Sequence, residues 1–224
     1  MLEATLTGKY ETGGKPGNLS TTLSVGTNVG EAKLKASATN CFALEADSYS
    51  PPSFAFSLSK PDSFSIRYSP EKKDGDPPDL RFKFMNSMNV MGRRVNLAYH
   101  HAVQEKKMKV KSLVELNDEH KLAVKHLVGT KDCELRYKFA PHRFVLVEPS
   151  YKLESKAWAV AVSKSFESGD VLKGSYEVED GKVGLQWSRT SKEKGTFKVC
   201  GSLVRKNNEI LRQLMAQATW SCSL

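Results

Sequence analysis

With 224 residues, the chain is long enough for one large β domain or two small ones. Its hydrophobic content of 39% and mean hydropathy of −0.45 exclude a bundle of membrane helices. The longest apolar runs, Trp158–Val162 and Phe144–Val147, fall far short of the roughly 20 residues a spanning helix needs. Thirty-four Lys and Arg against 25 Asp and Glu give a formal charge of +9, which suits nucleic acid, anionic lipid or small anionic solutes without choosing among them. A membrane β-barrel stays open, because half of its residues face water.

The chain then reads as a succession of strands, each with side chains alternating at period two. Met1–Glu11 sets Leu2, Ala4, Leu6 and Tyr10 against Glu3, Thr5, Thr7 and Lys9. The turn Gly13–Gly17 leads to a strand through Leu19, Thr21, Leu23 and Val25. After Gly26–Gly30, Glu31–Asn40 sets Ala32, Leu34, Ala36 and Ala38 against Lys33 and Lys35. Phe54, Phe56 and Leu58 form a fourth strand, and Phe64, Ile66 and Tyr68, opposite Ser65 and Arg67, a fifth. The polar, breaker-rich segment Glu71–Pro78 reads as an exposed loop. Asp79–Asn86 is the clearest strand, with Leu80, Phe82 and Phe84 on one wall and Arg81 and Lys83 on the other.

Val95–Val103 places Arg94 on its polar side. Met108, Val110 and Val114 oppose Lys107, Lys109, Lys111 and Glu115, and Leu122, Val124 and Val128 oppose Lys121 and Lys125. Cys133, Leu135, Tyr137 and Phe139 oppose Glu134, Arg136 and Lys138, with Pro141 ending that strand. Arg143–Glu148 is apolar without clean alternation. Trp158, Val160 and Val162 oppose alanines, and Leu172, Tyr176 and Val178 oppose Lys173 and Glu177. Val183, Leu185 and Trp187 follow, then Phe197, Val199 and Leu203 opposite Lys198. Asn207–Met215 is the one stretch that suggests a short helix, and Leu214–Cys222 is a last strand.

Little in the chain suggests catalysis. His100 and His101 point to opposite faces of a strand and cannot chelate one ion, and His120, His126 and His142 lack ligand spacing. Cys41, Cys133, Cys200 and Cys222 are widely separated thiols with no zinc pattern. No nucleophile elbow, P-loop or dinucleotide-binding glycine pattern occurs, so the expectation is no enzyme activity, no metal and no cofactor. Met1–Leu6 lacks a basic n-region and an apolar h-region, and the expectation is a protein made in the cytosol without a cleavable presequence.

Two architectures compete. A soluble β-rich protein could offer its basic face to nucleic acid or anionic lipid, but nucleic-acid readers interleave aromatics with cations on one face, and here the two lie on opposite faces. The alternative is an all-β, membrane-embedded, antiparallel up-and-down β-barrel of about 12–16 strands, one domain spanning residues 1–224. Cations on nearly every polar face, short polar turns, and aromatics near strand ends (Tyr10, Tyr68, Tyr99, Tyr137, Trp158, Trp187, Trp220) favour the barrel.

A series of segments carries a resemblance along the whole chain. Gly8–Thr12, Leu80–Asn86, Val128–Thr130, Cys133–Tyr137, Glu148–Tyr151, Trp158–Lys164, Gly169-Asp170, Gly184–Arg189, Phe197–Cys200 and Ala218–Trp220 resemble, in order and spacing, the 24 kDa class of plastid outer envelope pore proteins. The chain departs from that pattern at Asp47–Pro52, at the Glu71–Pro78 loop and at Arg205–Leu214. The resemblance implies a multi-pass β-barrel in the plastid outer envelope that passes sugar phosphates, sugars, phosphate, dicarboxylates, charged amino acids and nucleotides. Its expected partners are membrane lipid and small anionic and zwitterionic metabolites, not nucleic acid, with a homo-oligomer left open. The candidate pore-lining residues are Lys33, Lys35, Arg67, Arg81, Lys83, Arg94, Lys107, Lys109, Lys111, Lys121, Lys125, Arg136, Lys138, Lys173 and Lys198. Their sign predicts weak anion preference, whereas the resemblance implies a mild cation preference; Glu31, Glu115, Glu134 and Glu177 would dilute the field.

Overall fold

The period-two patterns become strands throughout. The computed structural model describes residues 2–13, 17–43, 48–70, 78–191, 195–206 and 209–223. In chain order the strands are β1 (Leu2–Gly13), β2 (Asn18–Val29), β3 (Ala32–Ala43), β4 (Ser48–Lys60), β5 (Phe64–Ser69), β6 (Asp79–Val90), β7 (Arg93–Ala102) and β8 (Lys107–Glu115). They continue as β9 (His120–Leu127), β10 (Cys133–His142), β11 (Val145–Lys152), β12 (Ala157–Ser165), β13 (Asp170–Glu177), β14 (Lys182–Ser191), β15 (Gly195–Lys206) and β16 (Glu209–Ser223). Each pairs antiparallel with its sequence neighbours, and β1 pairs with β16, so sixteen strands close an up-and-down barrel. Closure removes the open edges that a sheet in lipid could not leave unpaired.

Burial shows which side of the wall is which. On β12, Trp158, Val160 and Val162 are exposed, while Ala157, Ala159 and Ala161 are half-buried. On β14, Val183, Leu185 and Trp187 are exposed, and Gly184, Gln186 and Ser188 are half-buried. The apolar set therefore covers the convex surface, where Leu23, Phe54, Phe84, Trp158 and Leu185 are each about half exposed. A soluble sandwich would bury that face. Among the described residues no side chain is fully buried, and Ala55 is the one buried hydrophobic residue. The barrel is thus unfilled, as a sixteen-strand circumference requires. Strands about 4.8 Å apart and tilted about 40° close a backbone cylinder of roughly 15 Å radius.

Outward aromatics gather toward both ends of the wall. Tyr151 packs on Trp158 at 4.7 Å toward one end, and Phe197, toward the other, meets Trp187 edge-on at 5.6 Å. Tyr137 and Trp187 both depart from the expected placement at strand ends, being mid-strand on β10 and β14, and Tyr137 stacks on His120.

Three sequence expectations change. In the expected helix Asn207–Met215, the described residues 209–215 are strand: β16 begins at Glu209 and hydrogen-bonds to β15 and β1. Pairing on both sides overrides local helical preference. β10 does not end at Pro141 but runs to His142, with a register shift between Phe139 and His142. The unpatterned stretch Arg143–Glu148 divides into a turn at Arg143 and Phe144 and the start of β11, which runs from Val145 and alternates through Lys152. Its pattern is obscured by Pro149, which has no N–H to give the ladder, and pairing to β10 lapses between Arg136–Ser150 and Phe139–Val147. The expected turn at Gly13–Gly17 and loop at Glu71–Pro78 fall largely on 14–16 and 71–77, outside the described residues.

The turns that are described are tight. Met91 and Gly92 both have positive φ (51° and 74°), which makes the β6–β7 link a two-residue type I′ turn matched to strand twist. Gly195, at φ 81°, starts β15 where a Cβ would collide with the Thr219 carbonyl.

Candidate lumen surface

In antiparallel sheets, paired residues share a face. Following the register around the barrel puts each cation singled out above on the concave side. Lys33 and Lys35 of β3 lie opposite Asn28 and Gly26. Arg67 of β5 lies opposite Arg81 of β6, and Lys83 lies between Ser65 and His100. Arg94 lies between Asn89 and Glu115, while Lys107, Lys109 and Lys111 of β8 lie opposite Ala102, His100 and Ala98. Lys121 and Lys125 face Lys138 and Glu134, Arg136 faces Ala123, Lys173 faces Ser163 and Gln186, and Lys198 faces Ser188 and Gln217.

Acids sort these cations into two sets. From β8 to β14 they are interleaved with carboxylates. Glu115 takes Lys121 (3.2 Å), and Glu134 takes Arg136 (2.6 Å) and Lys125 (3.4 Å). Glu148, with its side chain 8% exposed, takes Lys173 (2.7 Å) and Lys138 (3.6 Å). Lys173 reaches Glu148 from two strands away, over Ala161 of β12, which is too small to obstruct it. Glu177 lies 3.9 Å from both Lys152 and Lys182. Across β1–β3, Lys33 pairs with Glu3. At β6, Arg81 binds Asp79 (2.6 Å) and Glu105 (3.2 Å), and Glu105 also binds Lys107 (3.4 Å).

The second set makes no close ion pair. Lys35, Arg67, Lys83, Arg94, Lys109, Lys111 and Lys198 form no ion pair among the described residues. Three recesses among the described residues open on the concave wall. One, of about 650 Å³, is lined by Arg94, Lys111, Lys125, Glu134, Arg136 and Lys138; a second, of about 260 Å³, by Arg67, Arg81, Lys83, His100, Glu105, Lys107, Lys109 and Lys111; and a third, of about 170 Å³, by Arg136, Glu148, Lys173 and Glu177 among others.

The rest of the concave wall is hydroxylic. Thr22 and Thr39 share a hydrogen bond at 2.8 Å, Thr7 and Thr219 one at 3.2 Å, and Ser37 donates to the Ala55 carbonyl at 3.2 Å. The interior is therefore asymmetric, charged along β5–β11 and β13 and rich in Ser and Thr along β14–β16 and β1–β4. Glu148, Lys9, Lys152 and Lys182 share this face but are not among the candidates named from sequence, although Lys9 reads there as the polar side of its strand. The signal was present: Glu148, Ser150 and Lys152 alternate as clearly as Arg81 and Lys83 once Pro149 is accepted within a strand. Glu31, expected inside, instead pairs with Lys60 at the β2–β3 turn. Among the described residues there is no cluster able to hold a metal ion.

A closed barrel with an apolar outer wall and an unfilled, charged interior is a porin-like membrane channel. Solved structures agree on the fold: a triple mutant of the Rhodopseudomonas blastica porin superposes with a TM-score of 0.58 at 10% identity, covering 98% of this chain and 100% of that one. A second engineered variant of the same porin gives 0.57, also at 10% identity, over 98% of this chain and 100% of that one. The chain belongs to the outer envelope pore protein 24 family, whose pattern matches residues 2–223. It is 31% identical over 223 residues to the chloroplastic outer envelope pore protein 24B of Arabidopsis thaliana, covering 100% of this chain and 99% of that protein. It is 30% identical over 230 residues to the chloroplastic outer envelope pore protein 24 of Oryza sativa subsp. indica, covering 98% and 99%. The chain is accordingly a chloroplast outer-envelope β-barrel of a pore-protein family, and its class is that of a channel.

Proposed function

We propose that the channel is a high-conductance, weakly selective diffusion pore. It passes triose phosphates, sugars, phosphate, dicarboxylates, charged amino acids and nucleotides without binding each by a dedicated filter. The unfilled interior supports this reading most directly: no described side chain is fully buried, so the lumen holds water rather than a packed core. Hydrated solutes cross such a lumen without losing their water. The lining cations concentrate anions locally, and screening over about 8–10 Å keeps the preference small in so wide a lumen. The ion pairs around Glu134, Glu148 and Glu177 weaken the field further, since they neutralise much of the β9–β14 wall.

The test is a planar bilayer carrying the refolded protein, paired with a liposome swelling assay. Large, nearly ohmic conductance in KCl together with swelling in triose phosphate and in glucose is the expected result. Conductance in KCl with exclusion of both organic solutes would overturn the broad-pore reading.

A further inference from the structure

The cations without a close ion pair are not spread evenly. Arg67, Lys83, Lys109 and Lys111 converge on the recess of about 260 Å³, on both sides of the His100 imidazole. His100 Nε2 is buried without a hydrogen-bond partner, and Lys83, Lys109 and Lys111 all lie within electrostatic reach of the ring. Arg67 directly opposes Arg81 across the β5–β6 ladder, a like-charge pairing that costs stability unless an anion or water screens it. Arg81 and Lys107, at the rim, are already held by Asp79 and Glu105. Glu105 lines the recess on that side, while Arg67, Lys83, Lys109 and Lys111 form no ion pair among the described residues.

We propose that Arg67, Lys83, Lys109 and Lys111, around His100, form a binding station for linked phosphate groups, as in a pyrophosphate-bearing metabolite. The proposal rests on the lumen reading above. Its geometry sets the ligand. Lys83 and Lys109 stand two strands apart, and Lys109 and Lys111 are successive inward residues of β8. The charges thus span roughly 10 Å, wider than one phosphate and matched to two or three in a chain. Arg67 can hold phosphate oxygens bidentately, and the lysines act as point charges. The station lies toward the mouth remote from the chain termini, near the β5–β6 and β7–β8 links.

The test is single-channel recording of the full-length protein in KCl with inorganic pyrophosphate or orthophosphate added to one side. Pyrophosphate is expected to lower the open-channel current in a concentration-dependent way, more strongly from one side, with orthophosphate much weaker. Lys83→Gln with Lys109→Gln should raise the half-blocking concentration about tenfold, a loss of about 1.4 kcal/mol. Lys35→Gln with Lys198→Gln removes the same charge elsewhere in the lumen and should change it little. Equal effects of the two pairs would show diffuse lumen charge and overturn the station. So would a conducting wild-type channel indifferent to pyrophosphate, a result that leaves the pore itself intact. Folded protein that does not conduct would instead remove the lumen reading, and the station with it. Line broadening of pyrophosphate in phosphorus NMR on detergent-refolded protein gives a second readout, and its absence in the wild type also overturns the proposal.

Discussion

Glu148 holds together the charge pattern on one wall of the lumen. Among the described residues it is the one acid that is buried, and it draws Lys138 and Lys173 from strands on either side of β11 and β12. Glu148→Gln keeps the shape but leaves two ammonium groups facing each other. The expected result is a stability loss of about 1–3 kcal/mol in denaturant titration of detergent-refolded protein. The same variant should shift the reversal potential toward anions under a KCl gradient. At this scale the facing of Arg81 and Lys83 was legible from alternation alone. The role of Glu148 was not, because Pro149 beside it reads as a strand breaker and because ion pairs across strands depend on register, which period two leaves open.

Each strand of this barrel faces two solvents, and that sets a sharp asymmetry for neighbouring positions. Leu23 and Thr22 are adjacent near the middle of β2; Leu23 is 51% exposed on the convex side, while Thr22 bonds Thr39 on the concave side. Leu23→Arg should cost about 2–4 kcal/mol in lipid vesicles, and Thr22→Arg about 1 kcal/mol or less. Unfolding of the two variants in urea compares them directly; equal losses would contradict the assigned faces. Strands with clean alternation, such as β6, β12 and β14, were legible in the sequence. β16 was obscured at its start because the residues after Asn207 have helical propensity, and only the pairing partners β15 and β1 make them a strand. A single-sequence reading has no access to that partnership.

For the whole molecule, the distribution of charge matters more than the formal +9. The acids subtracted in that sum are concentrated beside the lining cations of β8–β14, so the field a solute meets there is weaker than the number of lining cations suggests. On the hydroxyl-rich side, Lys33 and Lys35 supply the positive charge of β3. Lys33→Glu with Lys35→Glu should move the reversal potential toward cations under a KCl gradient, by a few millivolts given the screening in a wide lumen. An unchanged potential would show that these two positions do not face the permeating ions. Sixteen strands fall at the upper limit of the expected range, and the closed barrel matches the expected architecture; the register of the β1–β16 seam was not legible, because it joins the most distant parts of the chain. That seam has a consequence for synthesis. Thr7 reaches Thr219 across 212 residues, so β1 waits with an unpaired edge until the ribosome has released nearly everything else. Closure therefore waits on β16, and until that strand arrives one hydrogen-bonding edge of β1 has no partner in the sheet.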